Sequence, residues 1–530
     1  MLSYAVLDFF NFIELQGVTV LDNKIAAVKM RNITKTFGSV VANDRVWLDI
    51  YRGEILALLG ENGSGKTTLM NMLAGIYFPD EGEISIDGKS VVIRSPKDAF
   101  DLGIGMIHQH FKLVDVLTAA ENIVLGLPGK LDLKAASAKI REICDKYGFS
   151  VDPSQKIYDM SVSQKQTVEI VKVLYRGADI LILDEPTAVL TPQETDKLFA
   201  VLRNMRDDGK AIVIITHKMH EVEALSDRVA ILRHGQFIGD MLTAQTNAQE
   251  MTNMMVGHAV SLNIERPDPV DPKPRIEVKN LTVRSVDGII KLDDVSFTAN
   301  SGEILGIAGI SGCGQKELLE AIAGLQTVES GSISYIEDDS SREELIGKDP
   351  LSIAELGVSL SFVPEDRLGM GLVGNMNLAD NMMLRSFRRG KSIFTDRRSP
   401  RALAESVVQE LSVSTPSVDT PVRRLSGGNV QKVLVGREIA SAPTVLLTAY
   451  AVRGLDINAS YTIYDLINRQ KKKGVAVIYV GEDLDVLLEL ADRILVLCGG
   501  KVSGIVEGRK TSKREVGMMM TKLGGDKADE

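Results

Sequence analysis

The chain is short of the features that mark disulfide-rich, membrane-spanning and nucleic-acid-binding proteins. Its 530 residues include only three cysteines, Cys144, Cys313 and Cys498, which are scattered and follow no metal-ligand spacing. We therefore expect reduced cysteines that serve as packing residues in a cytosolic protein. No apolar run reaches the roughly 18 residues that a membrane span needs. The formal net charge of −10 gives a nucleic-acid partner no compositional support.

The beginning of the chain lacks the pattern of a secretory signal. Residues 1–21 are apolar in places, but Asp8, Asn11, Glu14 and Gln16 interrupt them and no basic stretch precedes them. We expect residues 1–24 to be an N-terminal extension of unknown role, or the product of a misplaced start site. The whole chain, with 44% apolar and 25% charged residues, has the composition of a soluble globular protein with two or more domains.

A glycine-rich loop predicts a phosphate-binding site. Residues 60–67, with the sequence GENGSGKT, match the pattern G-x-x-x-x-G-K-[ST], and they lie between a predicted buried strand and a predicted helix. Glycines let backbone N–H groups point at phosphate oxygens, and the helix N-terminus attracts anions. Lys66 is placed to reach the outer phosphates and Thr67 to ligate magnesium. The nucleotide-binding residues predicted here are Gly60, Glu61, Asn62, Gly63, Ser64, Gly65, Lys66, Thr67 and Thr68.

Two carboxylates follow a second apolar segment. Residues 179–184 (DILILD) predict a buried strand that ends at Asp184, with Glu185 next to it. Asp184 is placed to hold magnesium, and Glu185 to polarise water for attack on a γ-phosphate. The alternative is a solvated acidic turn, which the nearby phosphate loop makes less favourable.

Three single residues complete the predicted site. Gln109 could reach both metal and water, and His217, at the end of another apolar strand, could contact the γ-phosphate. Phe37 could stack on a base, because aromatic faces bind bases well. Each residue alone is more often plain structure, and it is their order along the chain that favours a functional role.

The chain repeats itself. The sequence GEIL occurs at 53–56 and again at 302–305, an offset of 249 (302 − 53), and SDRV at 226–229 corresponds to ADRI at 491–494, an offset of 265 (491 − 226). Apolar strands alternate with helical stretches in each copy, which predicts a mainly parallel α/β core. We expect a first domain at 25–258, a linker at 259–274 that is extended and semi-rigid because of its prolines, and a second domain at 275–530.

The second copy lacks the chemical groups of the first. Gln315 stands where Lys66 stands and Lys316 where Thr67 stands, and a neutral amide cannot supply the charge of a lysine. Asp184, Glu185 and His217 correspond to Ala449, Tyr450 and Glu482. Gln109 falls near Glu365, and Ser285 takes the place of Phe37. Random drift is the alternative explanation, but the residues lost are the metal carboxylate, the water-activating carboxylate and the stacking aromatic.

This order of motifs resembles an ABC-type ATPase domain. Residues 160–164 (MSVSQ) and 425–432 (LSGGNVQK) are similar to the signature of that family, and the resemblance extends from about residue 25 to residue 520. It implies two tandem P-loop NTPase domains of the α/β class, each with a mainly parallel core, an antiparallel β portion and a helical signature subdomain. It also implies ATP and Mg²⁺ as cofactors, and two domains that pair head to tail.

Head-to-tail pairing predicts one complete composite site. The second copy keeps Ser426, Gly427, Gly428 and Asp456, where the first copy has Val162 and Ser163 in its signature and Thr191 at the aspartate position. A signature presents backbone N–H groups to the γ-phosphate, and side chains at its glycine positions hinder close approach. The resemblance thus assigns ATP binding to Phe37, the loop 60–68, Ser426, Gly427, Gly428 and Asp456, catalysis to Glu185, His217 and Gln109, and magnesium binding to Thr67, Gln109 and Asp184.

Tandem ATPase domains without membrane spans resemble the ATP-binding subunit of bacterial sugar and nucleoside importers. Residues 185–194 (EPTAVLTPQE) look most like the nucleoside branch, although Ser163, Thr167 and residues 450–452 depart from that family's pattern. The resemblance implies integral-membrane permease subunits, an extracytoplasmic solute-binding lipoprotein and a peripheral position at the cytoplasmic face of the membrane. A simple-sugar importer is the alternative. A soluble tandem ABC ATPase acting on ribosomes, or a regulatory nucleotide-binding module without turnover, fits the motifs less well.

A run of three lysines, Lys471 to Lys473, precedes Gly474. We expect this run to be the solvated end of a helix.

Overall fold

Repeated α/β elements fill the described part of the chain. This computed structural model describes residues 26–38, 40–108, 111–187, 190–216, 218–258, 263–285, 287–310, 312–387 and 395–521. Apart from 191–193, the described residues up to 258 belong to a first unit and those from 263 to a second. The predicted N-terminal extension, 1–24, lies outside the described residues.

The helices and strands of the first unit follow the predicted alternation. In chain order they are β1 (Ala26–Phe37), β2 (Val40–Tyr51), β3 (Glu54–Leu59), α1 (Lys66–Leu73), β4 (Glu81–Ile86), β5 (Lys89–Val91), α2 (Pro96–Asp101), β6 (Ile104–Ile107), α3 (Ala119–Val124), α4 (Leu133–Tyr147), α5 (Val162–Tyr175), β7 (Ile180–Asp184), α6 (Pro192–Asp207), β8 (Ala211–Ile215), α7 (Met219–Leu225), β9 (Arg228–Arg233), β10 (Gln236–Leu242) and α8 (Ala248–Val256).

Two sheets and a group of helices organise these elements. Among the described residues, one sheet has the strand order β2-β1-β4-β5 and the other β10-β9-β3-β8-β7-β6. In the second sheet the strands from β9 to β6 are parallel and β10 is antiparallel to β9. Strand β3 is buried along its whole length, which explains its uninterrupted apolar sequence after Glu54. Helices α3, α4 and α5 enclose a separate apolar cluster that includes Ile123, Ile140 and Val168.

The second unit repeats this series. Its elements are β11 (Pro274–Arg284), β12 (Ile290–Asn300), β13 (Ile304–Gly309), α9 (Gln315–Ile322), β14 (Ser330–Ile336), β15 (Arg342–Glu344), α10 (Pro350–Glu355), β16 (Leu360–Val363), α11 (Leu378–Met383), α12 (Arg398–Glu410), α13 (Gly427–Ala440), β17 (Val445–Ala449), α14 (Ile457–Lys472), β18 (Ala476–Val480), α15 (Leu484–Leu490), β19 (Arg493–Cys498), β20 (Lys501–Glu507) and α16 (Lys513–Met519).

The sheets of the second unit have the same topology as those of the first. Their described strands run in the orders β12-β11-β14-β15 and β16-β17-β18-β13-β19-β20. Strands β16, β17, β18, β13 and β19 are parallel, and β20 is antiparallel to β19. The predicted fold class, two tandem α/β domains with a mainly parallel core and an antiparallel β portion, is therefore confirmed.

An ion pair between residues that recur in both copies joins two central strands of each larger sheet. Arg228, at the start of β9, pairs with Glu54 at the start of β3 with 2.7 Å between Nη2 and Oε1, and each side chain is only 2% exposed. In the second unit Arg493 also pairs with Glu303, with 2.5 Å between Nε and Oε1, although the arginine is partly exposed there. A buried guanidinium needs such a partner, because an uncompensated charge away from water is costly. The repeated residues are thus explained by folding rather than by chemistry.

Within the predicted linker the structure shows contacts to the second unit, and in the three-lysine run Lys472 and Lys473 are exposed whereas Lys471 is buried. Asn468 donates to Glu265 O (2.6 Å), Arg266 donates to Ala491 O (2.6 Å), and Lys471 donates to Pro267 O, so residues 265–267, in the middle of the predicted linker, are hydrogen-bonded to the second unit. Strand β11 begins at Pro274, one residue before the predicted domain. The prediction of a solvated Lys471 was wrong: the residue is 3% exposed and its Nζ lies 2.7 Å from Asp492 Oδ1.

The sequence-based expectations also concern the cysteines and the helices. Cys144, Cys313 and Cys498 carry free thiols, and Cys144 is buried. No helix among the described residues combines the length and the apolar character of a membrane span.

Candidate functional site

The predicted phosphate loop joins β3 to α1. Gly60, Gly63 and Gly65 all have positive φ angles, of 155°, 82° and 96°. A side chain at Gly65 would also place its Cβ 2.3 Å from Ala42 O, so only glycine fits this position. Left-handed glycines before a helix are typical of loops whose backbone N–H groups bind phosphate.

Lys66 lies inside this loop. The side chain is buried, and its Nζ donates to Gly60 O (2.7 Å) and Glu61 O (2.9 Å). Burial lowers the pKa of Lys66 to about 8, although the charges of Glu185, Asp184 and Glu61 oppose the change. An anion bound in the loop would stabilise the ammonium form and raise this pKa again.

The two predicted carboxylates lie at the carboxyl end of β7. Thr67 Oγ1 donates to Asp184 Oδ2 (3.3 Å), so two of the predicted magnesium ligands are already together. Burial and, second, the charge of Glu185 raise the pKa of Asp184, which Thr67 and Lys66 oppose. A hydroxyl and a carboxylate are oxygen ligands of the kind Mg²⁺ prefers, and this ion needs few ligands from the protein.

Glu185 has a strained backbone. Its φ is +46°, in the left-handed region that residues other than glycine rarely adopt, and its N–H donates to Ile215 O of β8 (2.9 Å). The bond to the neighbouring strand keeps the chain in this turn directly after β7. Strain of this kind is typical of functional positions.

Phe37 offers an exposed aromatic face at the end of β1. Its ring packs edge-on against Tyr77, with 5.2 Å between centroids, and Lys35 Nζ lies 5.5 Å from the ring centroid. Phe37 is 43% exposed, as base stacking requires. Tyr77 was missed by the sequence reasoning, because it belongs to no motif and only the fold brings it to Phe37.

Gln109 and His217 lie outside the described residues. Their roles stay predictions. The strands that lead to them, β6 and β8, both pair with β7, the strand that carries Asp184.

A buried hydrogen-bond network around Glu221 was also missed. Glu221, in α7, accepts bonds from Thr187 Oγ1 (2.5 Å) and Thr216 Oγ1 (3.2 Å) and lies 3.1 Å from Lys218 Nζ. We call these four residues the Glu221 network. A single glutamate in a helix is usually solvated, so no sequence signal marked it.

The second copy keeps the loop but not its charge. Helix α9 begins at Gln315 after Gly314, whose φ of 97° matches the 96° of Gly65 before α1. Gln315 Nε2 donates to Ile310 O (3.1 Å), a position comparable to that of Lys66 Nζ. A neutral amide therefore occupies the buried place of the lysine.

The turn after β17 is preserved as well. Tyr450 has a φ of +52° and donates its N–H to Val480 O (2.9 Å), as Glu185 does to Ile215. Burial and, second, the charge of Glu365 raise the pKa of Tyr450 to about 12, so a neutral phenol stands where the first copy has its carboxylate.

In the second copy, Arg453 lies beside the residues that correspond to Gln109 and His217. The register of β6 on β7 and of β16 on β17 puts Glu365 opposite Gln109 in the alignment of the copies. Arg453 pairs with Glu365 and with Glu482, the latter at 2.9 Å between Nε and Oε1. Both carboxylates are thus neutralised by the chain itself.

The predicted signature residues of the second unit lie close together. Ser426 caps α13 and accepts a bond from Asn429 Nδ2 (2.8 Å). A Cβ at Gly428 would lie 3.6 Å from Asp456 Oδ2, and one at Gly427 would lie 3.1 Å from Arg367 Nη1. In the first unit Ser161 caps α5, but its hydroxyl lies 3.1 Å from that of Ser163, so side chains occupy this helix start.

Comparison with known proteins gives the family. The ABC transporter family model matches residues 43–188 and 292–448, more than half of the chain. The chain is 42% identical to the nucleoside import ATP-binding protein NupA of Lactococcus lactis subsp. cremoris, over 94% of its own length and 98% of that protein. It is 40% identical to the glucose import ATP-binding protein TsgD13 of Haloferax volcanii (94% and 96% covered) and 40% identical to the guanosine import ATP-binding protein NupO of Bacillus subtilis (93% and 97%). The chain therefore belongs to the ABC transporter family, as an ATPase with two domains of that family in tandem.

Proposed function

We propose that this chain is the ATP-hydrolysing subunit that energises solute import through a membrane transporter, with nucleosides as the solute. The similarity to nucleoside and guanosine import ATP-binding proteins over nearly the whole chain carries the proposal. Residues 185–194, which resemble the nucleoside branch, are in keeping with it. A sugar importer is the second candidate, because a glucose import protein is 40% identical.

The proposal includes partners that choose and carry the solute. These are integral-membrane permease subunits and an extracytoplasmic solute-binding lipoprotein, with this chain peripheral at the cytoplasmic face of the membrane. No nucleic-acid partner is included, in keeping with the net charge of −10.

Binding of ATP is proposed for the first copy. The N–H groups of the loop 60–68 would hold the phosphates, Lys66 would neutralise their charge, and Phe37 would stack on adenine. Thr67, Asp184 and Gln109 would hold Mg²⁺, which supplies positive charge to the phosphate oxygens when bound.

Hydrolysis is proposed to use Glu185 and His217. Glu185 would polarise a water molecule whose oxygen attacks the γ-phosphorus, with breakage of the bond to the β-phosphate oxygen. His217 and Gln109 would orient the γ-phosphate and the water.

The second copy is proposed to act on the ATP of the first. In a head-to-tail pair, Ser426, Gly427, Gly428 and Asp456 would face the γ-phosphate held by Lys66. The compact arrangement of these residues at the start of α13 supports this role. The second nucleotide site would not hydrolyse ATP, because Gln315, Ala449 and Tyr450 cannot replace Lys66, Asp184 and Glu185.

Deletion of this chain tests the solute. We expect a deletion strain of the source organism, which lacks this chain, to lose uptake of labelled uridine or guanosine. Uptake of labelled ribose and glucose should continue. The wild-type chain should restore nucleoside uptake and the Glu185→Gln variant should not. Loss of sugar uptake with normal nucleoside uptake would reverse the order of the two candidates, and salt-resistant copurification of RNA or ribosomes would contradict an importer.

Glu185→Gln should nearly abolish turnover without preventing ATP binding. We expect a loss of about a hundredfold or more in kcat, because an amide cannot accept a proton from water. Equilibrium binding of ATP should remain close to that of the wild type. A purified complex that keeps most of its ATPase activity would show that another group activates the water.

Matched changes in the two signatures test head-to-tail pairing. Gly428→Asp should reduce turnover nearly as much as Lys66→Ala, because it puts a carboxylate beside the γ-phosphate of the ATP held by the first copy. Ser163→Asp, the corresponding change in the first signature, should be mild, and so should Gln315→Ala. Greater damage from Ser163→Asp would contradict the proposed pairing. The measurement is the steady-state ATPase rate of the assembled complex.

Binding of ATP should take up a proton at Lys66. The pKa of Lys66 is lowered to about 8 without nucleotide and should rise when phosphates stabilise the ammonium form. At a pH between these two values, uptake should approach about one proton per ATP, and affinity should fall as pH rises. Calorimetry in buffers of different ionisation enthalpy measures the uptake, and Lys66→Arg should abolish it because arginine stays protonated. Equal uptake by that variant would assign the proton to another group.

A further inference from the structure

Glu221 is a buried carboxylate that the proposed chemistry does not use. It is 4% exposed, and the two hydroxyls that donate to it, those of Thr187 and Thr216, are 3% exposed. Lys218 joins them: its Nζ lies 3.1 Å from Glu221 Oε1 and donates to Thr187 O (3.4 Å), and its N–H donates to Thr216 Oγ1 (3.1 Å). The Glu221 network is therefore closed on itself, and no member can move without breaking a bond to another.

The network connects two particular loops. Thr187 lies two residues after Glu185, in the loop that begins with the strained turn at φ +46°. Thr216 directly precedes His217 in the sequence, and Lys218 directly follows it. Glu221 therefore ties the chain after the proposed water-activating carboxylate to both neighbours of the proposed γ-phosphate ligand.

The second copy provides an internal comparison. The offset of 265 puts Val452, Gly481, Asp483 and Val486 where the first copy has Thr187, Thr216, Lys218 and Glu221. None of these four residues can reproduce the network, yet β18 and α15 have the same lengths as β8 and α7, and the bond from Tyr450 N–H to Val480 O is kept. The fold of these loops does not require the network, which occurs only in the copy that has the catalytic groups.

We propose that Glu221 is a positioning residue for ATP hydrolysis: it fixes the loop that follows Glu185 relative to Thr216 and Lys218, the residues on either side of His217 in the sequence, so that the two catalytic groups keep their places around one ATP. The inference rests on the proposed function of Glu185 and His217. Glu221 itself touches neither nucleotide nor water in this role. Its loss should therefore affect the chemical step much more than ATP binding, because small misplacements of catalytic groups have large effects on rate.

Substitution of Glu221 by the residue of the second copy is the test. Glu221→Val in the assembled complex should lower kcat by about ten- to a hundredfold and change the Kd for ATP less than about twofold. Glu221→Gln, which keeps the shape and one acceptor, should be intermediate, as should Thr187→Val. These two milder variants keep the test decisive should Glu221→Val fold poorly.

Two comparisons separate positioning from stability. Glu54→Gln removes the charge of another buried carboxylate in the same unit, at the opposite end of β3 from the phosphate loop, and it should lower Tm while leaving kcat unchanged. In a Glu185→Gln background, Glu221→Val should reduce the residual single-turnover rate much less than it does in the wild type, since one of the two groups whose separation Glu221 is proposed to fix is already absent.

Several outcomes would overturn the inference. An unchanged kcat in Glu221→Val, or equal losses in the presence and absence of Glu185, would exclude a positioning role. A fall in kcat that only parallels the fall in Tm, as in Glu54→Gln, would make Glu221 structural. Full activity of Glu185→Gln alone would contradict the proposed catalysis instead, so the two failures are distinguishable.

Discussion

Parallel hydrogen bonding among β3, β8, β7 and β6 carries the carboxyl ends of these strands to one edge of the sheet. The phosphate loop, the Asp184–Glu185 pair and the loop that starts at Thr216 each begin where one of these strands ends. Residues that are more than a hundred positions apart therefore meet, as Thr67 and Asp184 do at 3.3 Å. The buried pair of Glu54 and Arg228 fixes β3 to β9 at the other end, and loss of one partner of such a pair costs about 3–5 kcal/mol.

The two units separate the requirements of folding from those of chemistry. Both keep the strand order, the Glu–Arg pair, the left-handed glycine before α1 or α9 and the left-handed residue after β7 or β17. Only the first has Lys66, Asp184 and Glu185, together with the Glu221 network. In the second, Arg453 neutralises Glu365 and Glu482, and Gln315 fills the place of the lysine without its charge. The fold of the second unit therefore does not depend on the catalytic groups of the first.

Burial gives the first site its electrostatic character. Removal from water lowers the pKa of Lys66 and raises that of Asp184, because each charged form loses hydration. Both charged forms would be favoured again by ligands of opposite sign, phosphate for the lysine and a cation for the carboxylate. Burial therefore disfavours the charged forms of Lys66 and Asp184, which are the forms that would bind phosphate and a cation most strongly. Perturbed pKa values of this kind are common at functional sites.

The sequence alone determined the tandem α/β fold, the repeated unit and the phosphate loop, because each has a local pattern: apolar runs of strand length, glycines at fixed spacing and a repeat at constant offset. It also singled out Lys66, Thr67 and Asp184, since strand ends in parallel sheets meet in a known way. The tertiary structure alone decided what depends on distant neighbours. Lys471 is buried because Asp492 and the backbone of Pro267 lie beside it, and the linker is held because Arg266 reaches Ala491. Glu221 is a partner of Thr187 and Thr216 only because the fold brings α7 against the loops that follow β7 and β8. A side chain's contacts across the fold leave no periodic trace in the sequence, so composition and spacing could not predict them.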